Sequence, residues 1–160
     1  MEIRFRNCEY DDLEFILKLK ELGMKWYYEK IDGWDINFQR ERTKREIEKF
    51  IDTLKIIIVD DKDIGILNFF EDNNEFVIGL IIVNPDYQGK GIATTIINDC
   101  INTAKKENRT IRLSTYKYNP AKILYERLGF KQYSEDDTHA YLHINFNKKN
   151  NIEKRKIYEI

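Results

Sequence analysis

The chain predicts a mixed α/β protein built on a central, mostly antiparallel sheet flanked by helices. Three observations carry that reading. Residues 56 to 83 form three apolar runs separated by turns rich in Asp and Asn, which reads as hairpins. Ile92, Ile96, Ile97, Cys100, Ile101 and Ala104 then recur at helical spacing, and strand, helix and strand patterns follow to residue 146. At 160 residues the chain is expected to hold one domain with one core, over residues 1–146, followed by a polar tail over 147–160.

Taken in order, residues 2 to 6 alternate as a first strand, and Asp11-Asp12 offers an N-cap to a helix whose stripe is Leu13, Ile16, Leu17 and Lys20. Residues 23 to 35, with Trp26, Tyr27, Tyr28 and Trp34, read as an irregular aromatic segment. A second helix is expected from about Gln39, with Ile47, Phe50, Ile51 and Leu54 on one face and mixed charges on the other. Strands follow at 56–59, 64–70 and 76–83. A helix to about Lys106, a strand over 111–115, a helix over 121–128 and alternation from His139 to Phe146 complete the pattern. In the tail, Ile152, Ile157 and Ile160 could dock on a neighbour.

Composition excludes several classes. The 27 basic and 28 acidic residues leave a net charge of −1, so no bulk basic field exists to recruit nucleic acid or an acidic membrane surface. Cys8 and Cys100 are far apart and lack metal-ligand spacing, which predicts reduced thiols and a cytoplasmic protein. The N-terminus has no apolar core of a leader or span. Heavy use of Ile, Lys, Asn and Tyr suggests an A/T-rich, bacterial genome. His139 and His143 fall on one strand face, have no further ligands in view, and read as structural; no metal is expected.

The most informative stretch is Tyr87-Gln88-Gly89-Lys90-Gly91-Ile92-Ala93, a glycine-rich turn between a buried strand and an amphipathic helix. Unpaired N–H groups and the helix dipole attract anions there, and two glycines permit close approach. The alternative reading is a tight turn and nothing more. The Walker pattern fails, because Gly89-Lys90 is followed by glycine and lacks the earlier one; the dinucleotide pattern fails at Thr94. Gln88-Gly89-Lys90-Gly91-Ile92-Ala93 does satisfy Q/R-x-x-G-x-G/A, with Val83 and Pro85 just upstream. Downstream stands Asn119-Pro120-Ala121-Lys122-Ile123-Leu124-Tyr125-Glu126-Arg127-Leu128-Gly129-Phe130.

Together these segments resemble the GCN5-related N-acetyltransferase (GNAT) superfamily, most sharply from about Ile64 to Phe130. A Gly-Trp-Asp segment at 33–35 and Thr138-His139 resemble a bacterial subgroup without a defined substrate. The resemblance implies acetyl-CoA as cosubstrate, its pyrophosphate held by Gln88, Gly89, Lys90, Gly91, Ile92 and Ala93. The strand before the cradle is expected to carry a bulge, with backbone groups of Ile81, Ile82 and Val83 binding the pantetheine arm and one N–H serving the oxyanion. Asn119 and Lys122 join the cofactor side. Tyr125 is the candidate general acid, its phenol (pKa ~10) expected to pass a proton to the departing thiolate (~8.5) downhill. The competing reading makes it a half-buried helix tyrosine.

An amine near pKa ~10.4 must lose a proton before it attacks. The glutamate many members use for this falls at Gly79 here, so the base is unassigned among Glu75, Glu29, Asp32, Asp35 and His139. Trp26, Tyr27, Trp34 and Glu29, with Tyr28 beside them, are expected to line the acceptor side, against the alternative that the rings pack in the core. The leading function is acetyl transfer to a primary amine of a small molecule or free amino group. The others are a protein or peptide N-acetyltransferase and a non-catalytic acyl-CoA-binding regulatory module. Superfamily members often form homodimers.

Overall fold

The computed structural model describes residues 1–31 and 33–147; the Ile31 side chain, Asp32 and residues 148–160, which hold Ile152, Ile157 and Ile160, lie outside this description. The strands are β1 (Ile3–Asn7), β2 (Leu54–Val59), β3 (Lys62–Asp72), β4 (Glu75–Val83), β5 (Ile111–Tyr116), β6 (Lys131–Glu135) and β7 (His139–Ile144). The helices are α1 (Leu13–Ile31), α2 (Ile36–Phe50), α3 (Ile92–Lys106) and α4 (Ala121–Arg127). The sheet has seven strands in the order β1-β2-β3-β4-β5-β7-β6. Only β4 and β5 run parallel, pairing Phe76–Ile78 with Ile111–Leu113; the remaining neighbours are antiparallel, β3 and β4 by virtue of their two-residue turn. The mixed, mostly antiparallel sheet expected from the sequence is therefore present.

Contacts gather into two compact units, residues 1–69 with 79–93, and residues 70–78 with the described residues from Thr94 onward. In the first unit, Cys8, Ile16, Leu19, Ile47, Leu54, Ile56, Ile66 and Ile82 form a buried cluster, drawn from both helices and from β2, β3 and β4. The hairpin turn at Asp60 and Asp61 has φ of 52° and 59°, and that at Asn73 and Asn74 has 50° and 63°. Asp and Asn tolerate this left-handed region best, and two such residues in succession match the twist of a hairpin. The turns are accordingly tighter, and β3 longer, than the sequence pattern suggests.

Four expectations are corrected. A 3-10 turn, Tyr10–Asp12, precedes α1; its start is at Glu9, whose N–H donates to Asp12 Oδ2 (2.8 Å), so Asp12 reaches back from inside the turn and does not cap α1. The aromatic segment is not irregular: α1 continues through Trp26, Tyr27 and Tyr28 to Ile31, because its aliphatic and aromatic residues keep the helical period. Helix α2 begins at Ile36, where Asp35 caps it by accepting from the N–H groups of Asn37 (3.0 Å) and Phe38 (3.2 Å); it stops at Phe50, so Leu54 belongs to β2. Strand β6 has no counterpart in the sequence reading. All five of its residues are exposed at the sheet edge, so the alternation that marks a half-buried strand is missing.

Polar side chains tie the first unit together. Arg6 on β1 donates to both oxygens of Asp12 (2.9 and 2.8 Å) and to Asp63 Oδ2 on β3 (2.9 Å). Lys20, 4% exposed, donates to Thr43 Oγ1 (3.0 Å) and Glu46 Oε2 (2.6 Å) and so fixes α1 against α2. In the second unit Arg109 lies 4.1 Å from the centre of the Phe76 ring and donates to the Asn74 carbonyl (2.9 Å) and Glu71 (2.9 Å). Cys8 and Cys100 are free and buried, and burial pushes their thiols up to about 11 and about 12.

Arg6 holds the Asp12 carboxyl below its ordinary value. Its stabilisation is therefore complete above the unfolded value near ~4 and is lost as pH falls through the lower, folded one. Asp12→Asn is expected to cost about 1–2 kcal/mol in urea unfolding at neutral pH. The two proteins should converge in stability as the pH drops below about 4.

Candidate active site

The glycine turn begins where β4 ends. A 3-10 turn, Pro85–Tyr87, opens on Asn84, whose side chain accepts from the Asp86 N–H (2.9 Å). Gln88 Nε2 donates to the Val83 carbonyl (3.2 Å), closing the turn back on the strand. Gly89 and Gly91 follow with φ of 77° and 78°, and a methyl placed on either would meet nothing within 4 Å. Two left-handed glycines facing open space lead directly into the fifteen-residue helix α3. The first N–H groups of such a helix have no intrahelical partner, and an anion is their natural acceptor. Ile92 is 2% exposed, so its side chain roots the helix and only its backbone could serve a ligand; Lys90 is exposed, its Nζ 5.2 Å over the Tyr87 ring.

The strand before the cradle carries an extra residue. Its hairpin closes at Asp72 and Glu75, and at the other end the Asn84 N–H donates to the Ile64 carbonyl (2.7 Å). Ile64 to Asp72 is nine residues and Glu75 to Asn84 is ten, so β4 is longer by one over the same span. The Asn84 N–H is bonded to β3, and the Ile82 carbonyl oxygen lies in the space a side chain on Gly65 of β3 would fill. Of the three residues expected to offer backbone groups, the Ile82 carbonyl lies against Gly65 and the Val83 carbonyl is engaged by Gln88.

Helix α1 brings the aromatic segment to the same strand. A methyl on Gly23 would lie 3.3 Å from Ile82 Cγ2, so the helix passes close over the end of β4. Trp26, one turn on, is 40% exposed; its Nε1 donates to the Gly23 carbonyl (3.1 Å) and Lys30 Nζ sits 5.4 Å over its ring. Tyr27 is buried, edge-on to Trp26 at 5.8 Å, and Trp34 packs 5.6 Å from Tyr28. The expected wall thus divides into a core ring, Tyr27, and an accessible ring, Trp26. Glu29 is exposed and 3.9 Å from Lys25.

In the second unit, Asn119 Oδ1 accepts from the Ala121 N–H (2.9 Å) and its carbonyl from Lys122 (3.0 Å), so Asn119 starts α4 and leaves its amide NH2 as the remaining donor. Lys122 pairs with Glu126 at 3.7 Å. Tyr125 is 9% exposed, its ring 6.2 Å from and edge-on to Phe130. Burial alone pushes its phenol up to about 12. The expectation of a downhill proton transfer fails at ordinary values already, since a phenol near ~10 is a weaker acid than a thiol near ~8.5, and burial steepens the climb. Phenolate is the stronger base, and handing a proton from about 12 to a thiolate near ~8.5 is uphill by about 5 kcal/mol.

None of the described base candidates stands apart. Glu75 lies 3.5 Å from Arg112, Asp35 is committed to the α2 cap, and the His139 ring lies tilted at 34°, 4.4 Å from Tyr116, with Thr138 Oγ1 at 2.7 Å from its Nδ1. Gly79 is exposed in mid-strand. His143 stacks 4.4 Å from Tyr133, and among the described residues no three His, Cys, Asp or Glu gather as a metal site.

Sequence reasoning missed Gly65, Asn84 and the use made of Gln88. Signals existed: a lone glycine inside a strand pattern marks a bulge or close approach, and Asn-Pro marks a turn.

The profile of the acetyltransferase (GNAT) domain matches residues 52–132. The uncharacterized N-acetyltransferase MJ1207 of Methanocaldococcus jannaschii is 32% identical over 139 residues, 79% of this chain; the chain spans 60% of that protein. The PaiA N-acetyltransferase of Thermoplasma acidophilum, crystallised with coenzyme A, superposes with a TM-score of 0.71 at 21% identity, over 91% of this chain and 99% of that one. PH1933 of Pyrococcus horikoshii OT3 gives 0.72 at 23% identity, over 90% and 98%. At these identities the two structures show the fold.

Because the methyl of an alanine at Gly91 has room, the penalty of Gly91→Ala is confined to the left-handed backbone. It should lower stability by about 1 kcal/mol in urea unfolding without changing the circular-dichroism spectrum.

Proposed function

Because the chain belongs to the GNAT acetyltransferase family, we propose that it moves an acetyl group from acetyl-CoA to a primary amine of a small molecule or a free amino group. The observation that carries this reading is the cradle: Gly89 and Gly91, both left-handed and open to space, at the start of α3 and stapled to β4 through Gln88. Residues 88–93 would hold the pyrophosphate on backbone N–H groups. The N–H of Val83 would serve a carbonyl oxygen gaining charge, since a preorganised dipole needs no side chain. Ile81 and the free amide of Asn119 would bind the pantetheine arm. One acetyltransferase domain over residues 1–146, in the cytoplasm, completes the proposal; no helix of the described residues is long and apolar enough to cross a membrane.

Tyr125 keeps its proton throughout the working pH range and makes no full transfer ahead of C–S cleavage. It donates a hydrogen bond to sulfur as charge develops there. The departing thiolate takes its proton from solvent, the attacking amine gives one up to solvent, and the phenol is unchanged across the turnover. Trp26 offers an open aromatic face to an aliphatic or cationic acceptor, and Glu29 a charge opposite to an ammonium. A second reading, an acyl-CoA-binding regulatory module, is favoured by one observation: exposed Gly79 stands where a base is usual.

Calorimetry with acetyl-CoA, followed by thiol release over a panel of polyamines, amino acids and peptides, separates these readings. Amine-dependent release supports the enzyme and names its acceptor class; binding without release on any acceptor supports the module. Gly91→Glu should abolish acetyl-CoA binding, because a charged side chain fills the anion's place, and retained affinity would overturn the cradle. Tyr125→Phe should lower kcat by about 10²-fold while leaving acetyl-CoA affinity within about threefold. The phenol is active while neutral and is lost only as pH rises through about 12. The wild-type profile should therefore show no descending limb from Tyr125 below about pH 11.

A further inference from the structure

We infer that Gly65 is a positioning residue for acyl transfer, acting through β4 and resting on the cofactor reading above. Ile57 on β2 pairs with Gly65, but the next β2 residue, Ile58, pairs with Asp63, so Ile64 is an extra residue bulged from β3. The carbonyl of this bulged residue is the one that receives the Asn84 N–H at 2.7 Å. Beside it, a methyl on Gly65 would lie 2.5 Å from the Ile82 carbonyl oxygen, 3.0 Å from Ile57 Cδ1 and 3.4 Å from Val83 Cα. The first contact is impossible without moving backbone, and it falls on the two residues that precede the cradle's turn.

Gly65 and the Ile64 carbonyl therefore act as one device. The absent side chain lets β3 close on Ile82, and the bulge presents the acceptor that holds Asn84. With Asn84 bonded to β3 and the Ile82 carbonyl closed down on Gly65, the position of Val83 between them is set by this close approach. Gly65 touches no ligand in this arrangement; it sets where Val83 is held. An alanine would displace the Ile82–Val83 segment while leaving the anion-binding residues 88–93 chemically intact.

The test compares acetyl-CoA with 3′-phospho-ADP, its nucleotide half, which lacks the arm that β4 would bind. Gly65→Ala is expected to weaken acetyl-CoA by about tenfold and slow thiol release by about 100-fold. Its affinity for 3′-phospho-ADP should stay within about threefold of wild type. Asn84→Pro is the second variant, since Asn84 has φ −50° and ψ 130°, which proline adopts while losing the N–H that reaches Ile64. Because proline also removes the Oδ1 that accepts from the Asp86 N–H, it is read against Asn84→Ala, which loses Oδ1 alone. Relative to that variant it should show the same split, and it keeps the test open if Gly65→Ala does not fold. Equal losses on both ligands in the folded variants would mean a general stability effect and overturn the inference, as would unchanged acetyl-CoA affinity. If wild type binds neither ligand, the cofactor reading itself fails, an outcome distinct from a wild type that binds both and variants that do not discriminate.

Discussion

The hydrogen bond from Asn84 to Ile64 is the constraint on which the putting-together of the cofactor side depends. A hairpin closed at Asp72 and Glu75 would, in plain register, place Val83 opposite Ile64. The bond is made one residue later, and this single step changes which residue at the β4 end is held by β3. Everything after it follows in chain order: the Asn84 side chain starts the 3-10 turn, Gln88 fastens that turn to Val83, and the two glycines deliver the chain into α3. Strand edge, turn and helix start are consecutive consequences of one offset.

The same segment explains why the residues concerned have such different chemistry. Gln88 is polar where it donates to the Val83 carbonyl at the end of the strand. Gly89 and Gly91 are glycine because both positions are left-handed. Gly65 is glycine for another reason, since there a carbonyl oxygen occupies the space of a side chain. Position, and not residue type, separates conformational need from close approach.

Much of the fold was legible because β2, β3, β4 and α3 are buried in strict periodic patterns, and their turn residues are those that a left-handed backbone selects. Strand β6 was not, since Lys131 to Glu135 are exposed on both faces and carry no period. The aromatic stretch of α1 was misread because Gly23 interrupts it; yet that glycine is tolerated inside the helix, where it lets α1 approach Ile82. For the site, the cradle motif and Asn119 with Tyr125 stood out through their resemblance to the family's two segments. The phenol's acidity did not, because burial, which no local pattern encodes, decides it. Tyr27 and Trp26 are adjacent and alike in sequence, and only the helix phase assigns one to the core and the other to solvent.

The two buried thiols bear on how this protein can be handled. A thiol held near 11 or 12 is almost wholly protonated at neutral pH, and the thiolate is the species that reacts with electrophiles and disulfides. Cys8 and Cys100 are thus chemically silent toward the dyes that count free sulfhydryls in a folded sample. In the thiol-release assay proposed above, colour beside the native chain would therefore come from CoA and not from these two side chains, and a slow rise from the protein alone would report its unfolding.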